Sequence, residues 1–422
     1  MKKTYAFAGA SSRGIHMFML PMAGEFAEYC EPKGIFDTNP GRADYASRRT
    51  GVKAFRDFGQ MLYETKPDVV IVTTVDAFHS DYIIRSLEYG CDVITEKPMT
   101  TDAAKCRAIL EAERRTGRKV TVTFNYRYAP FATKVKELIS GGVVGDVFSV
   151  HFEWMLDRNM DVSAHGTSYF RRWNSRMEKS GGLLVHKSTH HFDMINWWLE
   201  DVPEKVSAFG KLNLYGTNGS VRYAGGISGE NCRKCGHTAS CGFYYRLSDL
   251  EREMYESNEA YDGYYKDGCV YAPDIDIYDT MSLNVRYGSG AVLSYSLNAT
   301  CAYEGWRASV NGSKGRLEAF MPETGCEANP NEDAVRFYDL RNDAAVYRVT
   351  KAGGDHGGGD SRLRRALFIG GGQDPLRHGA GSRDGASSIL IGAAANISIR
   401  EGKTVDLPEL LGNASLWPGE SR

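Results

Sequence analysis

The chain has 422 residues, enough for two or three domains and a sizeable core. Its 42% hydrophobic and 25% charged residues are those of an ordinary globular protein, and a net charge of −2 gives no global attraction to nucleic acid or to an anionic membrane. No stretch approaches the ~18 apolar residues of a membrane span and the N-terminus lacks the apolar run of a secretory signal, so the sequence predicts a cytoplasmic protein whose cysteines are thiols or metal ligands.

In chain order, a short apolar strand from Tyr5 to Ala8 runs into Gly9-Ala10-Ser11-Ser12-Arg13-Gly14. A helix-length apolar stretch from Ile15 to Tyr29 follows, with a kink expected at Pro21. A second strand ends at Asp37, a third covers Val69 to Val72, and a fourth and fifth lie in "GCDVIT" and "KVTVTFNY". Helical segments begin near Asp57, stop at Gly90 and fill "TTDAAKCRAILEAERRTG". Strands alternating with helices predict an α/β fold with a doubly wound parallel sheet of the Rossmann type over residues 1–125.

Such sheets bind ligands beyond the carboxyl ends of their strands. Gly9, Ser11, Ser12, Arg13 and Gly14 there form a loop at which a dinucleotide pyrophosphate meets helix N–H groups. Ser11 stands where the G-x-G-x-x-G fingerprint has its middle glycine, so the backbone approach is looser or the hydroxyl contacts phosphate. Asp37 follows at about the 20-residue separation where a carboxylate binds the adenosine ribose and favours NAD. Arg42 nearby can tolerate a 2′-phosphate, which leaves NADP open. Thr73, Thr74 and His79 follow the next strand into the same crevice. Glu96-Lys97-Pro98 ends the fourth strand, where the nicotinamide would point, and proline biases Lys97 toward an extended conformation. A lysine held there can hydrogen-bond a substrate hydroxyl, and burial near a cationic nicotinamide lowers its pKa toward neutrality. Two solvated loop charges are the bland alternative.

"TEKPMT", the glycine loop and "FNYRY" together resemble the Gfo/Idh/MocA oxidoreductases, relatives of glucose–fructose oxidoreductase and inositol dehydrogenase. The resemblance covers nearly the whole chain. It implies that Lys97 is catalytic, that Glu96 and Asn125 lie by the cofactor, and that Arg127 lies by the substrate. It also implies a C-terminal α+β domain over residues 126–422, built on a largely antiparallel open sheet whose exposed face joins copies into a homodimer or homotetramer.

The strand-like segments after residue 125, with a hairpin at Tyr287-Gly288-Ser289-Gly290, agree with that sheet. The segment "SGGLLVHKSTHHFDMINWWLE" reads as one helix and matches the family pattern at Gly181, Gly182, Leu184, His190 and Asp193. The resemblance gives His190 the reacting hydroxyl and its proton. His186 replaces the pattern's aspartate, and four residues from His190 it shares a helical face and can itself titrate. Lys187 and His191 flank this pair, Arg172 and Trp173 precede it, and a glycine-rich loop carries Asp355, His356 and Asp360, with His356 as a polyol contact. Ordinary core histidines and a zinc-binding pair are the other readings of the histidine segment. A Cys/Tyr-rich insertion at about 215–278 places Cys232, Cys235, Cys241 and Cys269 at a spacing suited to a structural zinc, with His237 as an alternative ligand and free thiols or a redox disulfide as alternatives. The expected activity is hydride transfer between a sugar, polyol or glycoside and NAD(P). A redox-assisted glycosidase with retained NAD and a non-catalytic dinucleotide-binding protein are the competing expectations.

Overall fold

The computed structural model describes residues 2–161, 164–354, 356–370 and 372–417. Strands β1 (Lys3–Ala8), β2 (Cys30–Phe36), β3 (Ala54–Phe55), β4 (Val69–Val72), β5 (Asp92–Thr95) and β6 (Val120–Val122) form a parallel sheet in the order β3-β2-β1-β4-β5-β6. The direction of winding reverses between β1 and β4, the place where such sheets leave a crevice. Register fixes what lines it. Ala8 pairs with Phe36 on one side and Val72 on the other, so Gly9, Asp37 and Thr73 leave the sheet side by side. All four residues of β4 are buried, because helices cover both faces of the sheet. The helices Pro40–Thr50, Phe58–Thr65 and Ala103–Thr116 start where the side chains of Asn39, Asp57 and Asp102 accept the N–H of Arg42, Gln60 and Lys105, and Pro40–Thr50, His79–Tyr89 and Ala103–Thr116 end at left-handed Gly51, Gly90 and Gly117.

The first helix is shorter than its apolar run. Gly14–Met19 forms π-helical turns, Leu20–Ala23 continues as a single α-helical turn, and regular structure then lapses until β2. Pro21 follows closely on the π-helical turns, and the helix ends two residues later, at Ala23.

The second sheet contains β7 (Val147–Asp157), β8 (Pro203–Lys211), β9 (Thr280–Tyr287), β10 (Val292–Cys301), β11 (Gly305–Gly312), β12 (Gly315–Pro322), β13 (Glu332–Asp339), β14 (Ala344–Thr350) and β15 (Val405–Asp406). Its order is β14-β13-β12-β11-β7-β10-β9-β8-β15, antiparallel except where β7 meets β10. The insertion hangs from the β8–β9 connection and carries the short helices Gly216–Tyr223 and Asp249–Met254. Among the described residues no helix is long and apolar enough to cross a membrane.

The histidine segment is two helices, Leu183–His186 and Thr189–Leu199, broken at Lys187 and Ser188. Side chains hold the break. The Tyr295 hydroxyl donates to Ser188 Oγ (2.9 Å), and Thr189 Oγ1 lies 3.0 Å from Ser388 Oγ. Ser388 belongs to the long helix Ser382–Glu401, which packs on Thr189–Leu199 and β8 and also reaches the first domain. Just before it, the Ala380 carbonyl accepts the N–H of Val122 on the outer edge of β6. Gly392 lies against the Leu183–His186 turn: a Cβ there would stand 2.2 Å from the Leu184 carbonyl oxygen. Gly392→Ala is therefore expected to cost about 2 kcal/mol or more of stability. Denaturant unfolding checks this, and an unchanged midpoint would show that the contact yields freely.

Candidate active site

The crevice begins with the loop after β1. Gly9 has φ +102°, and a Cβ on it would lie 2.7 Å from the backbone of Thr73. A Cβ on Gly14 would meet Thr73 Oγ1 at 2.6 Å, and that hydroxyl donates to the Gly9 carbonyl (2.8 Å). The two glycines thus let the loop close onto the end of β4. Ser11, in place of the fingerprint's middle glycine, accepts the Gly14 N–H at its Oγ (3.0 Å). At the tip of β2 the Asp37 carboxylate accepts the N–H of Ala10 and of Asn39, each at 2.7 Å. A carboxylate fixed there, a glycine-lined loop entering a helix, and a buried Asn125 Oδ1 without a hydrogen-bond partner among the described residues fit a dinucleotide.

Arg13 does not reach toward a phosphate. Its Nε donates to Glu96 Oε1 (3.0 Å) and its two Nη atoms grip Asp360 (2.5 and 2.9 Å). Asp360 also accepts from Asn125 Nδ2 (2.6 Å) and faces His356 Nδ1 (3.3 Å). Despite burial, these donors hold the Asp360 carboxyl well below the usual carboxylate range. One carboxylate in the first turn of the helix Gly359–Phe368 therefore ties together the segments after β1 and β6 and, through Arg13, Glu96 after β5.

Lys97 follows β5, with a cis peptide to Pro98. His79, expected by the cofactor, instead braces this turn, its Nδ1 2.8 Å from the Pro98 carbonyl and its Nε2 3.1 Å from that of Thr74. Lys97 Nζ donates to the backbone carbonyl of His186 (3.1 Å). Burial, with the nearby Lys187 ammonium, lowers the Lys97 amine from its ordinary 10.5 to about 7, against the opposing pull of Asp76 and Glu96.

The opposite wall comes from the second domain. His186 Nδ1 lies 2.5 Å from the buried Asp76 carboxylate, and its Nε2 lies 3.1 Å from Asn174 Nδ2. Burial raises Asp76 and lowers His186, so both shifts disfavour a charged pair. Trp173 stands edge-on to His186. His190 is fully buried, yet neither of its ring nitrogens has a hydrogen-bond partner among the described residues. Its ring packs on Tyr126 and His356, and burial above all lowers its pKa well below the ordinary imidazole value. Such an imidazole offers one donor and one acceptor to a ligand.

Three expectations need correction. His191 faces the core, with Nδ1 2.9 Å from the Tyr295 hydroxyl and its ring against Phe152 and Trp154, because the break before Thr189 turns it away from the cleft. Arg127 is fully engaged: Nε and Nη2 hold Asp193 bidentately (2.7 and 2.6 Å), Nη2 also reaches Asp384, and Nη1 reaches two backbone carbonyls. It acts as a clamp between the segment after β6 and the helices Thr189–Leu199 and Ser382–Glu401, and is not free for a substrate. The four cysteines line one cavity of about 20 Å³, but among the described residues no three His, Cys, Asp or Glu side chains stand together as metal ligands. Of these, Cys235 and Cys269 accept the N–H two residues on, and Cys232 accepts from Arg171. Arg172 is held by the Ser168 carbonyl (3.1 Å) over the Tyr169 ring, Lys187 lies over Trp154, and Asp355 is outside the described residues.

Sequence reasoning missed Asp76, the hub role of Asp360, and a line in which the Tyr169 hydroxyl meets His165 Nε2 (2.6 Å) and His165 Nδ1 meets Glu304 (2.5 Å). Asp76 was the most findable, two residues beyond Thr74 at the end of a buried strand.

The comparisons agree with this geometry. Residues 3–124 match the NAD-binding Rossmann fold of the Gfo/Idh/MocA oxidoreductase family, and residues 136–407 match its C-terminal alpha/beta domain. The chain belongs to that family of oxidoreductases. It is 39% identical over 428 residues to YteT of Bacillus subtilis (strain 168), a protein named as an oxidoreductase, across 97% of this chain and 98% of that one. It is 29% identical over 174 residues to an inositol 2-dehydrogenase of Rubrobacter xylanophilus, across 41% of this chain and 46% of that one. Among solved structures, levoglucosan dehydrogenase in complex with NADH and levoglucosan shares the fold, with a TM-score of 0.68 over 97% of this chain and 100% of that one at 19% identity.

Removing the Arg127 side chain would strand Asp193 in the interior. Arg127→Met is expected to cost about 3–5 kcal/mol, read by chemical unfolding. A stability within error of the parent would contradict its assignment as a clamp.

Proposed function

We propose that the chain oxidises a secondary hydroxyl of a cyclic sugar, polyol or glycoside with NAD. The observation that carries this is the proximity of a buried amine lowered to about 7, which acts electrostatically on His190, to that buried imidazole, which has no hydrogen-bond partner among the described residues. Relatives and neighbours named for inositol and levoglucosan support the substrate class. Gly9, Gly14, Asp37 and Asn125 would hold the dinucleotide, which when bound supplies the acceptor for a hydride. The chain's own groups handle the proton. Neutral Lys97 accepts it from the hydroxyl as the C–H bond gives up its electron pair and the carbon becomes a carbonyl. His190 hydrogen-bonds the same oxygen and orients it, and His186 with Asp76 holds Lys97 in place through the His186 carbonyl. Trp173 and His356 flank the sugar. For symmetry of assembly, a second copy covers the open face of the nine-stranded sheet, where Phe209 is 79% exposed beside a groove of about 760 Å³.

Lys97→Met is expected to lower kcat about 10²–10⁴-fold while leaving NADH binding within a few-fold, measured by steady-state kinetics and fluorescence titration. Turnover at near-parental rate would overturn the reading. Because Lys97 must be unprotonated to accept the proton, kcat/KM for oxidation should rise with pH through about 7 and then level. A flat profile across that interval in the parent would contradict it.

The redox-assisted glycosidase remains a second reading, favoured by the His186–Asp76 couple and the Tyr169–His165–Glu304 line, which give the cleft more acid–base groups than simple oxidation uses. Accumulation of NADH with turnover supports the dehydrogenase. Release of an aglycone without NADH supports the glycosidase.

A further inference from the structure

The insertion belongs by sequence to the second domain, yet it is docked on the first. The Asn39 side chain donates to the Asn258 carbonyl (2.8 Å). Gly41 is pressed so closely onto Asn258 that a Cβ would lie 1.9 Å from its Oδ1. Both contacts fall at the start of the Pro40–Thr50 helix, immediately after Asp37. One guanidinium closes the junction: Arg42 Nη2 lies 2.6 Å from Asp262 Oδ2 of the insertion and 3.4 Å from Asp37 Oδ1. The arrangement is largely shielded from water, with the Arg42 side chain 14% exposed. Burial alone would lower the Arg42 pKa, but the two carboxylates outweigh it and raise it. Nearer the pyrophosphate loop, the insertion's half-buried Tyr255 comes close to the backbone of Ser12.

We propose that the insertion completes the dinucleotide site at its adenosine end, and that Asp262 makes the site select NAD over NADP by holding Arg42 between two carboxylates. This rests on the dinucleotide lying at the β1–β2 edge, as in the proposed function. Arg42 is the cation that would otherwise greet a 2′-phosphate, since it stands at the carboxylate that faces the ribose. With Asp262 present, its charge is already matched, and an added phosphate would bring two negative charges toward Asp37 and Asp262 with no free partner. A ribose hydroxyl brings no such conflict. Discrimination then comes from repulsion built into the site as much as from attraction to the correct ligand. With Asp262 neutral, Arg42 keeps only the longer contact to Asp37 and can turn its Nη2 to a phosphate, for which a guanidinium is the favoured donor.

The test is direct binding, independent of turnover. NADH and NADPH are titrated into the full-length parent, Asp262→Asn, Asp262→Ser and the double variant Asp262→Asn/Arg42→Leu, with protein fluorescence or calorimetry as readout. The parent should bind NADH at least about tenfold tighter than NADPH. Either Asp262 variant should tighten NADPH by about tenfold while NADH moves by less than about threefold, and adding Arg42→Leu should erase that gain. Two results overturn the proposal: Kd for NADPH unchanged in both Asp262 variants, or equal weakening of both dinucleotides, which would mean that Asp262 only props up the insertion. If the parent bound neither dinucleotide, the proposed function itself would fail, a different outcome from either. Thermal melts of the four proteins identify a variant that has lost its fold, and the two Asp262 substitutions back each other up.

Discussion

Burying an amine costs several kcal/mol unless it finds a counter-charge or gives up its proton. Lys97 sits behind Glu96 and near Asp76, but Glu96 is claimed by Arg13 and Asp76 by His186, and a second amine, Lys187, adds to the field against it. The protein thus satisfies the obvious partners elsewhere and leaves Lys97 with a backbone carbonyl, a dipole in place of a counter-charge. That withholding of a counter-ion converts an ordinary lysine into a base usable near neutral pH. His190 is pushed toward its neutral form first of all by the same burial.

The position of that amine depends on both domains. β5 delivers Lys97, but the carbonyl it meets belongs to His186, at the end of a turn packed under Gly392 of the long C-terminal helix. Asp360 fastens the β1 loop, Glu96's partner Arg13 and Asn125 into one network, while Arg127 with Asp193 and Asp384 fastens a second. The two networks are built from side chains that sit among the site residues in the sequence but spend their hydrogen bonds on protein. A cleft that must hold two reacting groups in fixed geometry needs such ties, because small misplacements are costly to catalysis.

Most of the fold was legible because its signals are local. Buried runs such as Val69–Val72, capping side chains such as Asp102 and left-handed glycines such as Gly90 mark βα units without reference to the rest of the chain. The loop glycines, Asp37 and Lys97 were legible for the same reason: each lies at a strand end, and strand ends in such a sheet converge. What failed was anything decided by a distant contact. Helical periodicity put His186, His190 and His191 on one helix, but Tyr295 and Ser388 fix the break at Lys187 and Ser188 and send His191 into the core. Arg127 reads as a substrate contact until Asp193 and Asp384 are seen to saturate it. The cysteine spacing gathers four cysteines around one cavity, yet among the described residues no three ligands stand as a metal site, and the docking of the insertion on Asn39, Gly41 and Arg42 has no sequence signal at all.

The account stands or falls on the protonation of one amine, which nuclear magnetic resonance reads without substrate. In protein labelled with ¹³C at lysine Cε, the resonance that disappears in Lys97→Met should titrate near 7 while the exposed lysines titrate near their ordinary 10.5. A Lys97 resonance that titrates with the exposed lysines would show a charged amine at neutral pH and contradict the role given to it.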